Sequence, residues 1–295
     1  MNARTKAHIA LFIVALIYGL NYIMAKEVMN GYIGPRGFIF LRVVGASMLF
    51  WLFHSFAGKR VKIERKDWPR LLLSGFFGVA ANQLLFFEGL HLTTPINASV
   101  IMTSNPILVL LISALLLKEP LRRGRILGII LGGAGAIYLI MGRGTVHLLE
   151  SETSTGNLLV FLNASSYAVY LVIVKPLMTK YPPIQVVKWV FASGLLFVIP
   201  AGAGQFAAVD WAAWTPVIYA QAAFVVIGTT FIAYLFNVFA LKTVSSTTVS
   251  TYIYLQPLFA TLAALALGKD ELTLRLVIAA VLIFTGVYLV SFSKR

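Results

Sequence analysis

Apolar residues in this chain neither alternate with polar ones at the period of a strand nor recur at every third or fourth position as on a surface helix. They run on for about 20 residues at a time, pause over a few polar or charged positions, and resume. Ten such segments are marked out, at 8–28, 35–57, 69–91, 95–117, 122–141, 156–178, 183–203, 215–241, 246–267 and 272–292. A helix of about 20 apolar residues crosses the hydrocarbon of a bilayer. The pattern therefore predicts an all-α membrane protein with ten transmembrane helices. Its loops are short, the longest being Gly142–Gly156, and none has room for a soluble domain.

The segments repeat. When Pro106 is laid on Pro257, "EGLHLTTPINASVIMTSNPILVLLISALLLKE" falls on "FALKTVSSTTVSTYIYLQPLFATLAALALGKD", with Leu90 on Leu241, Ser99 on Ser250 and Lys118 on Lys269. "GAIYL" (Gly135–Leu139) answers "GVYL" (Gly286–Leu289), and "YGLNYIMAK" (Tyr18–Lys26) lies over "YAVYLVIVK" (Tyr167–Lys175). The chain thus divides into two five-helix repeats, residues 8–141 and 156–292. Five is odd, so the second enters the membrane with opposite polarity. Such inverted repeats are a signature of alternating-access carriers.

Composition fits a membrane reading and narrows it. Of 295 residues 59% are hydrophobic and only 12% charged, about half the share in a soluble domain. The net charge of +14 could suggest nucleic acid, but the basic residues sit in short clusters between apolar runs, such as Gly58–Arg70 and Lys118–Arg125. Loop topology produces that pattern, because cytoplasmic loops collect Lys and Arg. With the N-terminus in the cytoplasm, both clusters, the terminal residues Arg4, Lys6, Lys294 and Arg295, and Lys175, Lys180, Lys188 and Lys242 fall inside. Only Lys26, Arg36, Arg143, Lys269 and Arg275 fall outside. Both termini are expected in the cytoplasm, and the first segment reads as an anchor rather than a cleaved leader. No cysteine is present, and the four histidines do not pair at helical spacing. Disulfides and thiolate chemistry are excluded, and no metal site or cofactor is expected.

The Pro-centred fourth span in each half, the "KE" or "KDE" turn after it, and the Gly-rich fifth span ("GIILGGAGAIYL", Gly128–Leu139) resemble the EamA-type drug/metabolite transporter superfamily. The resemblance extends from about residue 8 to residue 292 and is strongest over Leu90–Leu139 and Leu241–Leu289. It implies a ten-helix carrier of the bacterial inner membrane, often an exporter of amino acids or other small metabolites, aromatic amino acids among them. Relatives that move sugars, nucleotide sugars or choline-like compounds leave the substrate open.

Polar side chains inside spans face a bundle interior or a wet cavity. Helical spacing groups them into stripes: Asn163, Ser166, Tyr167 and Tyr170 in the sixth span, and Thr247, Ser250, Thr251 and Tyr254 in the ninth. Their repeat mates are Tyr18 and Asn21 in the first span and Ser99 and Thr103 in the fourth. Thr230, Tyr234 and Asn237 share a face of the eighth, and the third offers Asn82, Gln83 and Glu88. Any one Ser or Thr can be helix–helix glue. As a symmetric set, Tyr18, Asn21, Gln83, Glu88, Ser99, Thr103, Asn163, Tyr167, Tyr170, Tyr234, Asn237, Ser250 and Tyr254 are the candidate substrate-binding residues. Glu88, near a span end, can simply be hydrated or can bind an amine or a proton. Arg42, within the second span, is expected to form a structural ion pair with Glu88 or Glu27, the alternative being a substrate carboxylate. Lys26 and Lys175 are expected to snorkel to the interface. Pro106 and Pro257 each remove a backbone hydrogen bond in mid-span and free the carbonyls of Met102 and Ile253, so they are the candidate hinges. "LGGAGA" (Leu131–Ala136) lies within a span and is read as close helix packing rather than a phosphate loop.

These readings describe a secondary carrier exporting small amino acids or related metabolites by alternating access, with a small molecule and the bilayer as its partners. Import by the same fold is the alternative. An enzyme is not expected: there is no HExxH, no paired intramembrane aspartates, no Ser–His combination within spans and no Walker A motif. A channel would show rings of charge that this sequence lacks. Oligomeric state is left open, and a monomer suffices.

Overall fold

The computed structural model describes residues 2–57, 61–141, 151–266 and 273–292. All of their regular structure is helical. Ten long helical segments follow one another: α1 (Ala3–Met29), α2 (Pro35–Ala57), α3 (Arg65–Leu92), α4 (Pro95–Met102 continuing as Asn105–Leu117), α5 (Arg123–Met141), α6 (Ser151–Lys180), α7 (Pro183–Ala207), α8 (Pro216–Leu241), α9 (Ser246–Thr251, Tyr252–Tyr254 and Leu255–Ala266) and α10 (Leu274–Phe292). Eight of them are long and apolar enough to cross a membrane as they stand; the others are α5 and the subdivided α9. The spans follow the hydropathy pattern with local differences. Helix α6 begins at Ser151 rather than 156, and α3 opens with a short 3₁₀ turn, Arg65–Asp67, ahead of its α-helical part. Most of the Gly142–Gly156 loop and the "KDE" turn of the second half lie outside the described residues.

Local chemistry sets the helix starts. Proline occupies the first turn of α2, α4, α7 and α8, where its missing N–H costs nothing. The Thr94 hydroxyl caps α4 by accepting from the Asn97 N–H (3.1 Å), and its repeat mate Ser245 caps α9 from Thr248 N–H (3.0 Å). At its other end α4 stops at Lys118, whose left-handed φ of 54° lets the chain turn away.

Helix pairing obeys a pseudo-twofold. α2 packs on α7 and α5 on α10, each helix against its own repeat mate. α3 packs on α6 as α8 does on α1, and α4 on α6 as α9 does on α1. Lipid supplies little hydrophobic drive between helices, so close approach through small residues matters. The Gly-rich run of α5 is read correctly as packing. A Cβ on Gly128 would lie 2.6 Å from the Gly286 carbonyl oxygen of α10, and one on Gly286 would lie 2.5 Å from the Gly132 backbone nitrogen. Large apolar side chains such as Phe56, Leu115 and Tyr288 are left on the outside of the bundle, where lipid covers them.

Apart from Arg42, the described charges gather at the two ends of the bundle. At the end shared by the starts of α1 and α3 and the ends of α4, α6 and α10, Lys175 and Arg125 share Glu119 (3.2 and 3.1 Å), and Lys180 meets Asp67 (2.9 Å). Lys175 therefore does not simply snorkel; it is ion-paired and also donates to the Val244 carbonyl. Lys26, at the opposite end, is exposed. There Arg36 pairs with Glu88, and Gln221 of α8 donates to Glu27 of α1.

Four helices depart from α geometry, at matched places. Phe76–Ala80 in α3 and Val225–Ile232 in α8 are wide π turns, and the offset of 151 that pairs Leu90 with Leu241 lays the first inside the second. α4 and α9 instead tighten just before their prolines. In α4 the N–H groups of Thr103 and Ser104 bond to the carbonyls three residues back, at Val100 and Ile101, and α9 has a 3₁₀ turn over Tyr252–Tyr254. Pro106 thus stands at the start of a fresh helical stretch rather than kinking a continuous one. A proline has no N–H to donate to the carbonyl four residues back, and a tighter turn relieves its ring's clash with that carbonyl.

Candidate substrate cavity

The π turn of α3 and the residues just after it offer backbone carbonyls to side chains from α6 and α8. Ser166 donates to the Phe77 carbonyl (2.7 Å), Tyr234 to that of Gly78 (2.7 Å) and the Asn163 amide to that of Asn82 (2.6 Å). Gly78 is required for this close approach: a Cβ there would sit 2.2 Å from the Tyr170 ring. In α8 the Thr229 and Thr230 hydroxyls return to the Val225 carbonyl (2.5 and 2.8 Å), and Thr230 also accepts from Arg42 Nε (3.1 Å). Side-chain hydroxyls and amides thus pair with several backbone carbonyls at these wide turns.

These contacts gather around a cavity in the bundle centre. It is lined by Tyr18 and Asn21 (α1), Arg42 (α2), Asn82, Gln83, Phe86 and Phe87 (α3), Met102 (α4), Asn163 and Tyr167 (α6), Tyr234 (α8), and Ile253 and Gln256 (α9). The cavity has a volume of about 90 Å³, room for several waters and smaller than the ~300–1,000 Å³ of a fully opened small-molecule site. Met102 and Ile253, the residues four before each proline, both reach it.

Six of the thirteen residues picked from the sequence line this space: Tyr18, Asn21, Gln83, Asn163, Tyr167 and Tyr234. Two stand one layer behind. The Asn237 amide donates to the hydroxyls of Tyr167 (3.1 Å) and Tyr18 (3.4 Å), fixing both rings. Tyr170 packs between Tyr167 and Tyr234, with ring centroids 5.9 and 6.2 Å away. The other five lie elsewhere. Ser250 and Thr103 donate to carbonyls of their own helices, at Thr247 and Val100. Ser99 is half-buried on α4, Tyr254 is buried against Gly132 of α5, and Glu88 is held by Arg36 at the bundle end.

Arg42 also departs from expectation. It forms no ion pair among the described residues. Its guanidinium carbon lies 4.5 Å from the Phe87 ring centroid, and Nη1 is buried without a hydrogen-bond partner. Sequence reasoning passed over Gln256, Phe86 and Phe87, and named Asn82 on the third span without carrying it into the candidate set. Gln256 carried a usable signal: it precedes Pro257 as Asn105 precedes Pro106. The phenylalanines carried none, being common in every span.

Three of the lining amides leave a buried oxygen unpaired, Asn21 Oδ1, Gln83 Oε1 and Asn163 Oδ1. The cavity therefore offers one cationic donor, three free acceptors and a ring of aromatic faces, with no carboxylate among its lining residues. No three His, Cys, Asp or Glu side chains converge among the described residues.

Comparison with known proteins agrees with this architecture. An "Uncharacterized transporter" of Archaeoglobus fulgidus is 28% identical over 290 residues, 98% of either chain. The "Uncharacterized transporter YyaM" of Bacillus subtilis is 24% identical over 95% of this chain and 93% of its own. Arabidopsis thaliana "Protein WALLS ARE THIN 1" is 26% identical over 99% of this chain and 84% of its own. A solved crystal structure superposes with a TM-score of 0.79 over 97% of this chain and 96% of its own, at 22% identity, and so shares the fold. The family model described as "EamA-like transporter family" matches twice, over residues 5–141 and 154–292. With a ten-helix twofold bundle and both halves matched, the chain belongs to the EamA-like transporter family, a family of multi-pass membrane transporters.

Proposed function

We propose that the protein is a secondary carrier that exports small amino acids or related metabolites, aromatic amino acids among the candidates, across the bacterial inner membrane. Both termini lie in the cytoplasm, and the mechanism is alternating access. One observation carries the reading: the central cavity is walled by repeat-mated helices whose departures from α geometry are themselves mated. Wide turns in α3 and α8 and tightened turns in α4 and α9 all flank the cavity. Two copies of one flexible element, placed head to tail around a site, can exchange conformations and so open it to each side in turn. Pro106 and Pro257 are the hinges in this scheme, since the tight turns before them bring Met102 and Ile253 to the cavity.

The test is flux. The purified chain is reconstituted in liposomes, and efflux of a labelled amino-acid panel is followed with and without a pH gradient. Asn21→Ala and Gln83→Ala are expected to slow efflux of the substrate without loss of folded protein. Pro106→Ala and Pro257→Ala are expected to slow turnover more than binding. Flux indifferent to all four substitutions would sink the assignment of both site and hinges.

A further inference from the structure

A guanidinium about two turns into a membrane helix is costly, and the cost is met by partners. Arg42 is only partly provided for. It lines the cavity while only 4% exposed, its Nε is bonded to Thr230, and its guanidinium lies against Phe87, yet Nη1 is buried with nothing to receive its hydrogens. No lining residue carries a negative charge. The lining offers carbonyl oxygens instead, from Asn21, Gln83 and Asn163.

We infer that Arg42 is the anchor for a substrate carboxylate, and that this carboxylate is obligatory for binding while a substrate ammonium is dispensable. The asymmetry follows from desolvation. Arg42 is already stripped of water, so an entering carboxylate meets a dry, positioned donor and forms a charge-assisted bond. An ammonium must give up its own hydration for neutral amide oxygens and ring faces, which return less. A hydroxyl or keto group at the same place gives up less hydration and loses little. The substrate class is therefore small monocarboxylates, whether amino, hydroxy or oxo acids. Amines and carboxamides of the same shape are rejected. The inference rests on reading the cavity as the transport site.

The experiment uses the full chain purified in detergent and two series of probes, with benzyl and methyl side chains. Each series comprises the amino acid, the corresponding 2-oxo acid, the amino-acid amide and the simple amine. Binding is read by isothermal titration. In each series that binds, the two acids should bind within a few-fold of each other, and the amide and amine about tenfold to a hundredfold more weakly, the worth of a hydrogen bond to a charged group. Arg42→Gln should reduce acid binding by a similar factor, and Arg42→Lys should restore part of it. Retention of the wild-type melting temperature separates this from misfolding, and the probe series itself needs no variant. Amides or amines binding as tightly as acids would overturn the inference, as would a complete failure of the acids to bind. An amino acid binding at least tenfold more tightly than its oxo acid would overturn the dispensable ammonium. Acids that bind but are not moved in liposomes would refute the transport reading and leave the anchor standing.

Discussion

The N-terminal halves of α4 and α9 are built from the same plan and differ in how they are packed. Each begins on a hydroxyl cap, runs about two turns, tightens, and meets an amide followed by proline (Asn105–Pro106 and Gln256–Pro257). In α9 every residue from Ser246 to Gln256 is buried. Ser246 donates to the Leu171 carbonyl of α6, and Thr251 to the carbonyl of Thr247. In α4 the mates Ser99, Val100, Ile101, Met102 and Ser104 are only half-buried. Cap, length and proline are equal, so local sequence does not cause the difference. The two halves lie at opposite ends of the bundle, and one end is shut while the other is loosened. The two repeats are therefore unequal in packing, which is the asymmetry that the proposed alternating-access mechanism requires of any single state.

The largest expected effect is on chemical access. The natural chain has no cysteine, so single thiols report cleanly. Ser99→Cys should react with a water-soluble maleimide at least about tenfold faster than Ser250→Cys, because a thiol in the shut half waits for local opening and each ~1.4 kcal/mol of opening cost is tenfold in rate. Equal rates would erase the comparison. A smaller effect is expected on stability. Ser250→Leu overpacks a filled space and should cost about 1–3 kcal/mol, seen as a lowered melting temperature, whereas Ser99→Leu should cost under about 1 kcal/mol. The smallest effect should show no difference between the halves. Thr94→Ala and Ser245→Ala each remove one cap bond and should each cost about 1 kcal/mol. A large inequality there would place the asymmetry at the helix starts rather than above them.

Helix count and the inverted repeat were legible because each leaves a local mark: an apolar run, a repeated proline. Helix starts were placed less well, α1 and α6 beginning at Ala3 and Ser151 rather than 8 and 156, because polar first turns lie outside the apolar runs. The cavity was legible on α1, α6 and α8, where polar residues have no local partner and point to the centre. It failed on α4 and α9. There Thr103, Ser250 and Thr251 look polar in the sequence but bond back to carbonyls three or four residues earlier, which removes them from competition for a substrate. The 3₁₀ turn at Tyr252–Tyr254 adds to the error, because beyond it the helical spacing rule no longer tracks one face, and Ile253 and Gln256 reach the cavity instead. Arg42 was misread because Glu88 and Glu27 found other partners, Arg36 and Gln221, at the bundle end. Which of several acids and bases will meet is a tertiary fact.

The wide turn of α3 sets the angular phase of everything after it. A π turn accommodates one residue more than an α turn, so each later side chain points about 100° away from where an unbroken helix would aim it. Asn82 and Gln83 face the cavity with that offset included. Removing one residue from 76–80 would let the helix anneal, and the two amides would swing off the cavity while every chemical group stayed in the chain. In this bundle the address of a side chain is fixed by how many residues its helix spends on one turn as much as by its place in the sequence.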